Sequence, residues 1–191
     1  MNDEALGAAL LILARNAIAR ALGLPLQAEV EDNALAQPGA TFVTLTSGDH
    51  GSEQLRGCIG TLEAWRSLAE DVRGNAQAAA FRDHRFTPLG GDEFPRIRVE
   101  VSLLTPPQLL PCRDEADALR QVRPHLDGVI FRYREARSTF LPQVWEGLPD
   151  PQDFLFQLKC KAGLPGDFWA PDVRLYRYEV RKWKEIRQEV R

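Results

Sequence analysis

A cysteine set between two glycines, with an arginine two residues before it, is the arrangement in this chain best suited to chemistry: Leu55-Arg56-Gly57-Cys58-Ile59-Gly60. If the segment is extended, a period of two puts Leu55, Gly57 and Ile59 on one face and Arg56, Cys58 and Gly60 on the other. A guanidinium beside the thiol favours the thiolate, the form that attacks electrophiles or binds metal. Glycine weakens a strand, so Gly57 and Gly60 point to a bulge or to a close approach by a ligand or another backbone. The competing reading makes Cys58 a small apolar filler, since free cysteine is usually buried and inert, and has the glycines accommodate an overlying helix.

Other residues extend this candidate site. Glu100 stands in the middle of a regular alternating run. It could pair with Arg56, serve as a general base if burial raises its pKa, or face solvent in a structural ion pair. Arg82, Asp83 and Arg85 form a charged loop whose guanidinium forks suit a carboxylate or phosphate, or which braces itself internally. Gln143 can donate and accept at once and is a candidate specificity contact. His84 reads as an exposed loop residue, because a base needs geometry that spacing alone does not supply. His50, His84 and His125 show no ligand spacing with Cys58, so no metal site is expected. No P-loop or dinucleotide fingerprint is present, and no cofactor is called for.

The elements that must position these residues are legible in part. Apolar residues recur at helical spacing from Ala5 to Leu22, with Leu6, Leu10, Leu13 and Ala17 on one stripe, before Gly23 and Pro25. Thr41 to Thr46 is a β-prone run that pairs with the segment from Leu55 as a hairpin across a polar turn, Ser47 to Gln54. Ser67-Leu68-Ala69-Glu70 has the form of a capping box and opens a helix to about Ala80, its inward stripe Leu68, Val72, Ala76 and Ala79. Arg96 to Leu104 alternates as a strand until Pro106-Pro107. A short helix over Asp114 to Val122 precedes a strand from Val129 to Arg134. A polar turn through Arg137 then leads to a partner at Thr139 to Leu141. Asp150-Pro151 starts a helix that ends at Gly163. Val173 to Val180 is the last strand, with a basic tail beyond. Trp65, Trp145, Trp169 and Tyr176 read as core or interface residues. Irregular order and antiparallel hairpins give an α+β fold, one domain over residues 1–191 without a linker.

Bulk properties narrow the function classes. The 191 residues carry 24 Lys and Arg against 27 Asp and Glu, a formal charge of -3, so no overall field draws in nucleic acid or anionic lipid. Arg15 and Arg20 interrupt the first apolar run, which is therefore neither signal peptide nor membrane span, and a cytoplasmic protein is expected. Cys58, Cys112 and Cys160 are too scattered for a disulfide framework or a CxxC pair.

The hexapeptide resembles the hallmark LRGCIG of the AMMECR domain family, unchanged at Leu55 to Gly60. The likeness continues in Gly39-Ala40-Thr41-Phe42-Val43-Thr44-Leu45, Ala80-Phe81-Arg82-Asp83-His84-Arg85-Phe86, Ile97 to Leu103, Phe140-Leu141-Pro142-Gln143-Val144 and Lys161-Ala162-Gly163-Leu164-Pro165. The resemblance implies a two-lobed α+β fold, the larger lobe built from both chain ends, with a cleft near the hexapeptide. It also implies a prokaryotic AmmeMemoRadiSam system, with a Memo-type protein and a radical S-adenosylmethionine enzyme as partners. The family has no settled activity. His84 stands where proline is commoner, so it is not an essential family base.

Two functions are consistent with these residues. One is an enzyme, or the substrate-holding component of one, with Cys58 and Glu100 in catalytic roles and Arg56, Gly57, Gly60, Arg82, Asp83, Arg85 and Gln143 lining the cleft. Its chemistry would be thiol-dependent acyl or alkyl transfer, or capture of a small anionic or peptide ligand. The other is a non-catalytic adaptor for the Memo-type or radical enzyme.

Overall fold

The computed structural model describes residues 1–48 and 52–186; His50 and the tip of the first hairpin lie outside them. Two compact units divide the chain: Met1–Leu104 with the return from Arg181, and Thr105–Val180. Each holds a four-stranded sheet with helices packed against it, and the α+β expectation is met. Among the described residues no helix is long and apolar enough to cross a membrane.

In the first unit, helix α1 spans Asp3–Ala21, capped by the Asn2 side chain on the Ala5 N–H. Strand β1 is Ala40–Ser47 and β2 is Gln54–Gly60, paired antiparallel as the hairpin pattern requires. A single helical turn, α2 (Asn33–Ala36), precedes them; four residues are too few to show a period. Helix α3 is Leu68–Phe81 and its capping box is complete: the Glu70 N–H donates to Ser67 Oγ and the Ser67 N–H to the Glu70 carboxylate. Strand β3 is Arg98–Leu104. Leu10, Leu13, Leu68, Val72, Ala76 and Ala79 from the helices meet Val43, Leu45, Val99 and Val101 from the sheet in one core.

The second unit contains β4 (Gln108–Leu110), α4 (Glu115–Gln121), β5 (Gly128–Tyr133), β6 (Ala136–Phe140), a 3-10 turn at Pro142–Glu146, α5 (Pro151–Lys161) and β7 (Arg174–Tyr178). The expected polar turn through Arg137 is corrected: the chain reverses at Arg134 and Glu135, where Arg134 takes a left-handed φ of 50°, so Arg137 already pairs within β6. Asp150 caps α5 through the Gln152 N–H, and Gly163 ends it with φ 81°. Trp145 is fully buried and stacks on Phe154 at 3.6 Å, while Trp169 packs half-buried at the edge of the same core. Trp65 departs from the core expectation and is 70% exposed.

The last expected strand divides in two. After β7 the chain breaks at Glu179, whose N–H donates to Thr105 Oγ1 and whose carbonyl accepts from the Thr105 N–H. It then runs on as β8 (Val180–Lys184) beside β3 in the first sheet, ordered β2-β1-β3-β8. What reads as a basic tail is therefore a strand. It is held by Trp183, which packs over Gly7 of α1, and by Glu185, which accepts from Arg15 Nε and Nη2 at 2.6 Å each and from the Val99 N–H at 2.9 Å.

Gly57 sets how closely α3 lies on β2. A Cβ there would fall on the Ala79 carbonyl oxygen, far inside contact distance and with backbone on both sides. Gly57→Ala is therefore expected to destabilise the protein by at least the ~1–3 kcal/mol typical of overpacking. Urea unfolding of the variant against the parent measures this; an unchanged midpoint would refute the close approach.

Candidate functional site

Strand β2 lies at the edge of its sheet, with β1 on one side only. Its register to β1 places Gly60 opposite Phe42, Cys58 opposite Thr44 and Gly57 opposite Leu45, then slips so that Leu55 faces Thr46. Arg56 is the extra residue of a β-bulge. A bulge re-aims its side chain, and this is why the simple alternation that paired Arg56 with Cys58 does not describe the site. Arg56 turns to the loop after α3, where Nε and Nη2 bind the two Glu93 oxygens at 2.9 and 3.0 Å and Nη2 also donates to the Thr87 carbonyl. The residue is only 8% exposed, and its Nη1 is buried with no hydrogen-bond partner among the described residues. Arg56, together with the Gly90 N–H, holds the Glu93 carboxyl below the usual range.

Cys58 presents its side chain on the face away from α1 and α3, because its neighbours Gly57 and Ile59 turn toward them. Thr61 donates to the Thr41 carbonyl, so by the antiparallel alternation Cys58 and Thr44 form a pair without mutual backbone bonds, in which side chains come closest. Thr44 Oγ1 donates to Cys58 Sγ at 3.4 Å. Glu100 is the partner of Thr44 on the other side. Cys58, Thr44 and Glu100 thus form one cross-strand row, all half-buried. Two strand spacings put Glu100 about 10 Å from Cys58, too far to take a proton from the thiol directly. Nor does Glu100 pair with Arg56, whose fork is occupied by Glu93. Beside the row, Glu53 is bound by Arg98 and Lys184.

The backbone of Cys58 would be unpaired at the sheet edge, and the loop after α3 supplies what a neighbouring strand would. The Cys58 N–H donates to Asp83 Oδ2 at 2.9 Å, and its carbonyl accepts from Arg85 Nη2 at 3.3 Å. Asp83 and Arg85 are themselves joined by Nη2 to Oδ2 at 2.6 Å and Nε to Oδ1 at 2.9 Å. The Arg85 guanidinium first, and then the Cys58 N–H, hold the Asp83 carboxyl well below the ordinary carboxylate range against the effect of burial. Arg82 and His84 are exposed on the same loop and take no part in this clamp.

Gly60 has its own occupant, since the Phe42 ring fills the space of a Cβ. Gln143 is exposed on the 3-10 turn of the second unit. Cys112 is half-buried and Cys160 exposed; both are free. Burial pushes the Cys112 thiol up, with the Asp117 and Asp114 charges adding to it. Among the described residues no group of His, Cys, Asp and Glu could hold a metal ion. Sequence reasoning missed Thr44 and Glu93. Thr44 could be found only by knowing the hairpin register, and Glu93 lies 37 residues from Arg56 in an irregular loop that carries no pattern.

Loss of the Asp83 carboxylate tests the clamp. Its depressed folded pKa means that it contributes stability fully above the unfolded value of about 3.9, lost as pH falls through the lower folded value. Asp83→Asn should cost about 1.5–3 kcal/mol at neutral pH, the scale of a hydrogen bond to a charged group. The gap to the parent should narrow below about pH 4. Urea midpoints across pH give the window, and amide exchange at Cys58, which should accelerate in the variant, localises the loss.

Comparison with known proteins places this geometry. A family model described as AMMECR1 matches residues 11–183. Protein MJ0810 of Methanocaldococcus jannaschii is 39% identical over 151 residues, covering 76% of this chain and 72% of that protein. A protein of Aeropyrum pernix is 39% identical over 188 residues, covering 96% of this chain and 80% of its own length. The crystal structure of the uncharacterized protein PH0010 from Pyrococcus horikoshii superposes with a TM-score of 0.71 at 32% identity, covering 92% of this chain and 89% of that one. On these matches the chain belongs to the AMMECR1 family.

Proposed function

We propose that the face of the first sheet bearing Cys58, Thr44 and Glu100 holds a small anionic or peptide substrate in a cleft at Leu55–Gly60, for chemistry that uses the Cys58 thiol. The carrying observation is the cross-strand row itself, with the backbone at Cys58 fixed on both polar groups by Asp83 and Arg85. Such clamping locks the thiol's starting atom, the kind of support a reactive group needs. With ~10 Å between them, Cys58 and Glu100 would meet opposite ends of one ligand lying across Thr44. Thiolate attack on an acyl or alkyl carbon would form the bond to sulfur while the leaving group departs with its electron pair, and Glu100 would bind or deprotonate the ligand's far end. Arg56 contributes by bracing the loop after α3 through Glu93 and the Thr87 carbonyl, not by touching the ligand. Gly57 and Gly60 serve by letting α3 and Phe42 close in, not by touching the ligand. The setting is cytoplasmic, and the chemistry belongs to a system with a Memo-type protein and a radical S-adenosylmethionine enzyme.

In a Cys112→Ser, Cys160→Ser background, carboxymethylation isolates Cys58. Its alkylation should outpace a model thiol at neutral pH, and Thr44→Val, which removes the donor to sulfur, should change that rate with little effect on the unfolding midpoint. A thiol that is inaccessible in the folded protein, or no faster than the model thiol, refutes the nucleophile role.

A second reading, an adaptor without catalysis, is favoured by the loop after β2. Trp65 is 70% exposed and lies over the Arg66 guanidinium at 4.7 Å, and Arg66 is in turn anchored on buried Asp71 at 2.9 Å. An exposed aromatic on a rigid base is the usual form of a binding hot spot. Trp65→Ala should abolish co-purification with the Memo-type protein or radical enzyme while leaving Cys58 alkylation unchanged; co-purification that survives removes this reading.

A further inference from the structure

The face of the first sheet that turns away from α1 and α3 carries charged residues beyond the Cys58 row. The Glu185 N–H donates to the Val99 carbonyl at 3.0 Å, and the Thr105 N–H to the Glu179 carbonyl at 2.9 Å. Strand β8 therefore runs antiparallel to β3, with Lys184 opposite Glu100 and Lys182 opposite Ser102. Val99, Val101 and Trp183 pack toward the helices, so alternation carries Glu100, Ser102, Lys182 and Lys184 to the other face. Lys182 stands diagonally across from Glu100, in the row next to that of Thr44 and Cys58.

The charges on this face are unevenly matched. Arg98 and Lys184 both bind Glu53, so those two cations are committed. Glu100 and Lys182 have no hydrogen-bonding or ionic partner among the described residues. Diagonal neighbours lie about 7–8 Å apart, within reach of long side chains, yet these two leave each other free. Glu100 is half-buried, where a carboxylate without a partner is costly. A carboxylate and an ammonium at this spacing match the ammonium and carboxylate of a free α-amino acid, each meeting its opposite charge. From there Thr44 and the half-buried Phe42 ring, which stands opposite Ser102 and over Gly60, line the way to the sulfur. The ~10 Å from Glu100 to Cys58 is the length of an extended side chain.

We propose that this face binds a free α-amino acid with a long uncharged side chain, its ammonium on Glu100, its carboxylate on Lys182 and the end of its side chain at Cys58. The inference rests on the ligand-holding role proposed above for the Cys58 row and names the class of that ligand.

In the Cys112→Ser, Cys160→Ser background the probe is Nε-bromoacetyl-lysine, whose extended side chain puts the reactive carbon about 9 Å from its α-carbon. The Cys58 thiolate attacks that carbon, the C–S bond forms as C–Br breaks, and bromide leaves with the electron pair; mass spectrometry of the full chain follows the adduct. Alkylation should saturate with probe concentration and outpace that by bromoacetamide. Blocking the amine as the Nα-acetyl derivative, or the acid as the carboxamide, should each slow it about tenfold, the scale of one contact to a charged group. Lys182→Met, at an exposed position, should bring acid and carboxamide to equal rates, while Lys182→Arg keeps them apart. Glu100→Gln should bring the free-amine and Nα-acetyl forms to equal rates. Equal rates for the probe and both blocked forms in the parent, or preferences that survive Lys182→Met and Glu100→Gln, overturn this proposal alone. A Cys58 that no bromoacetyl reagent alkylates faster than a model thiol overturns the thiol chemistry proposed above, and this inference with it.

Discussion

The carbonyl of Ala79 occupies the space where residue 57 would carry a side chain, and the geometry of the first unit follows from that contact. With glycine at 57, α3 lies close on β2, and the small residues of its inner stripe, Ala76 and Ala79, allow the approach along its length. The loop leaving α3 then emerges beside the free edge of β2. Asp83, two residues past the helix, is placed to receive the Cys58 N–H. A helix a side chain higher would carry that carboxylate away from the strand.

The start of α3 is fixed by different means. Asp71, fully buried, accepts from the Thr41 N–H and hydroxyl and from Thr61 Oγ1, and is paired with Arg66. Asn75, one turn on, donates to the Thr41 carbonyl and to Asp71 Oδ2. A buried charge with this many donors is compensated, whereas the same carboxylate left with fewer would be costly. The helix is thus bound to the hairpin by polar contacts at one end and by backbone proximity at the other. Between them the edge strand is also covered where an open edge would invite pairing with another chain, since Asp83 and Arg85 occupy the outward polar groups of Cys58.

Local patterns made much of this legible. The stripe of α1, the capping box at Ser67, the alternation of β3 and the Asp150-Pro151 helix start are short-range signals, and each element formed where its signal lay. The motif residues also led to the right strand and to the family. What sequence did not reveal depends on distant partners. The bulge that turns Arg56 to Glu93 is a register slip against β1, invisible in β2 alone. The split between β7 and β8 occurs within a continuous β-prone run, because Glu179 bonds Thr105 from 74 residues earlier. The strand character of Val180–Lys184 rests on Gly7 and Arg15 of the first helix, which no reading of the tail itself supplies.

The two glycines deserve to be separated from the cysteine between them. In sequence they read as a bulge, as a close approach by a ligand or another backbone, or as room for an overlying helix, and each has an internal occupant: the Ala79 carbonyl of α3 over Gly57 and the Phe42 ring over Gly60. Neither is therefore an argument for a ligand. The functional case passes to the residues that lie across the sheet from Cys58, which the hexapeptide does not contain. Thr44 touches the sulfur, and Glu100 stands one strand further on. A carboxylate at that distance cannot act on the thiol as a histidine would in a catalytic pair, so any chemistry at Cys58 must draw its acid or base from the ligand, from Glu100 acting at the ligand's far end, or from a partner protein. Of the three, only the second depends on the spacing of the row, and it limits the ligand to one long enough to span two strands.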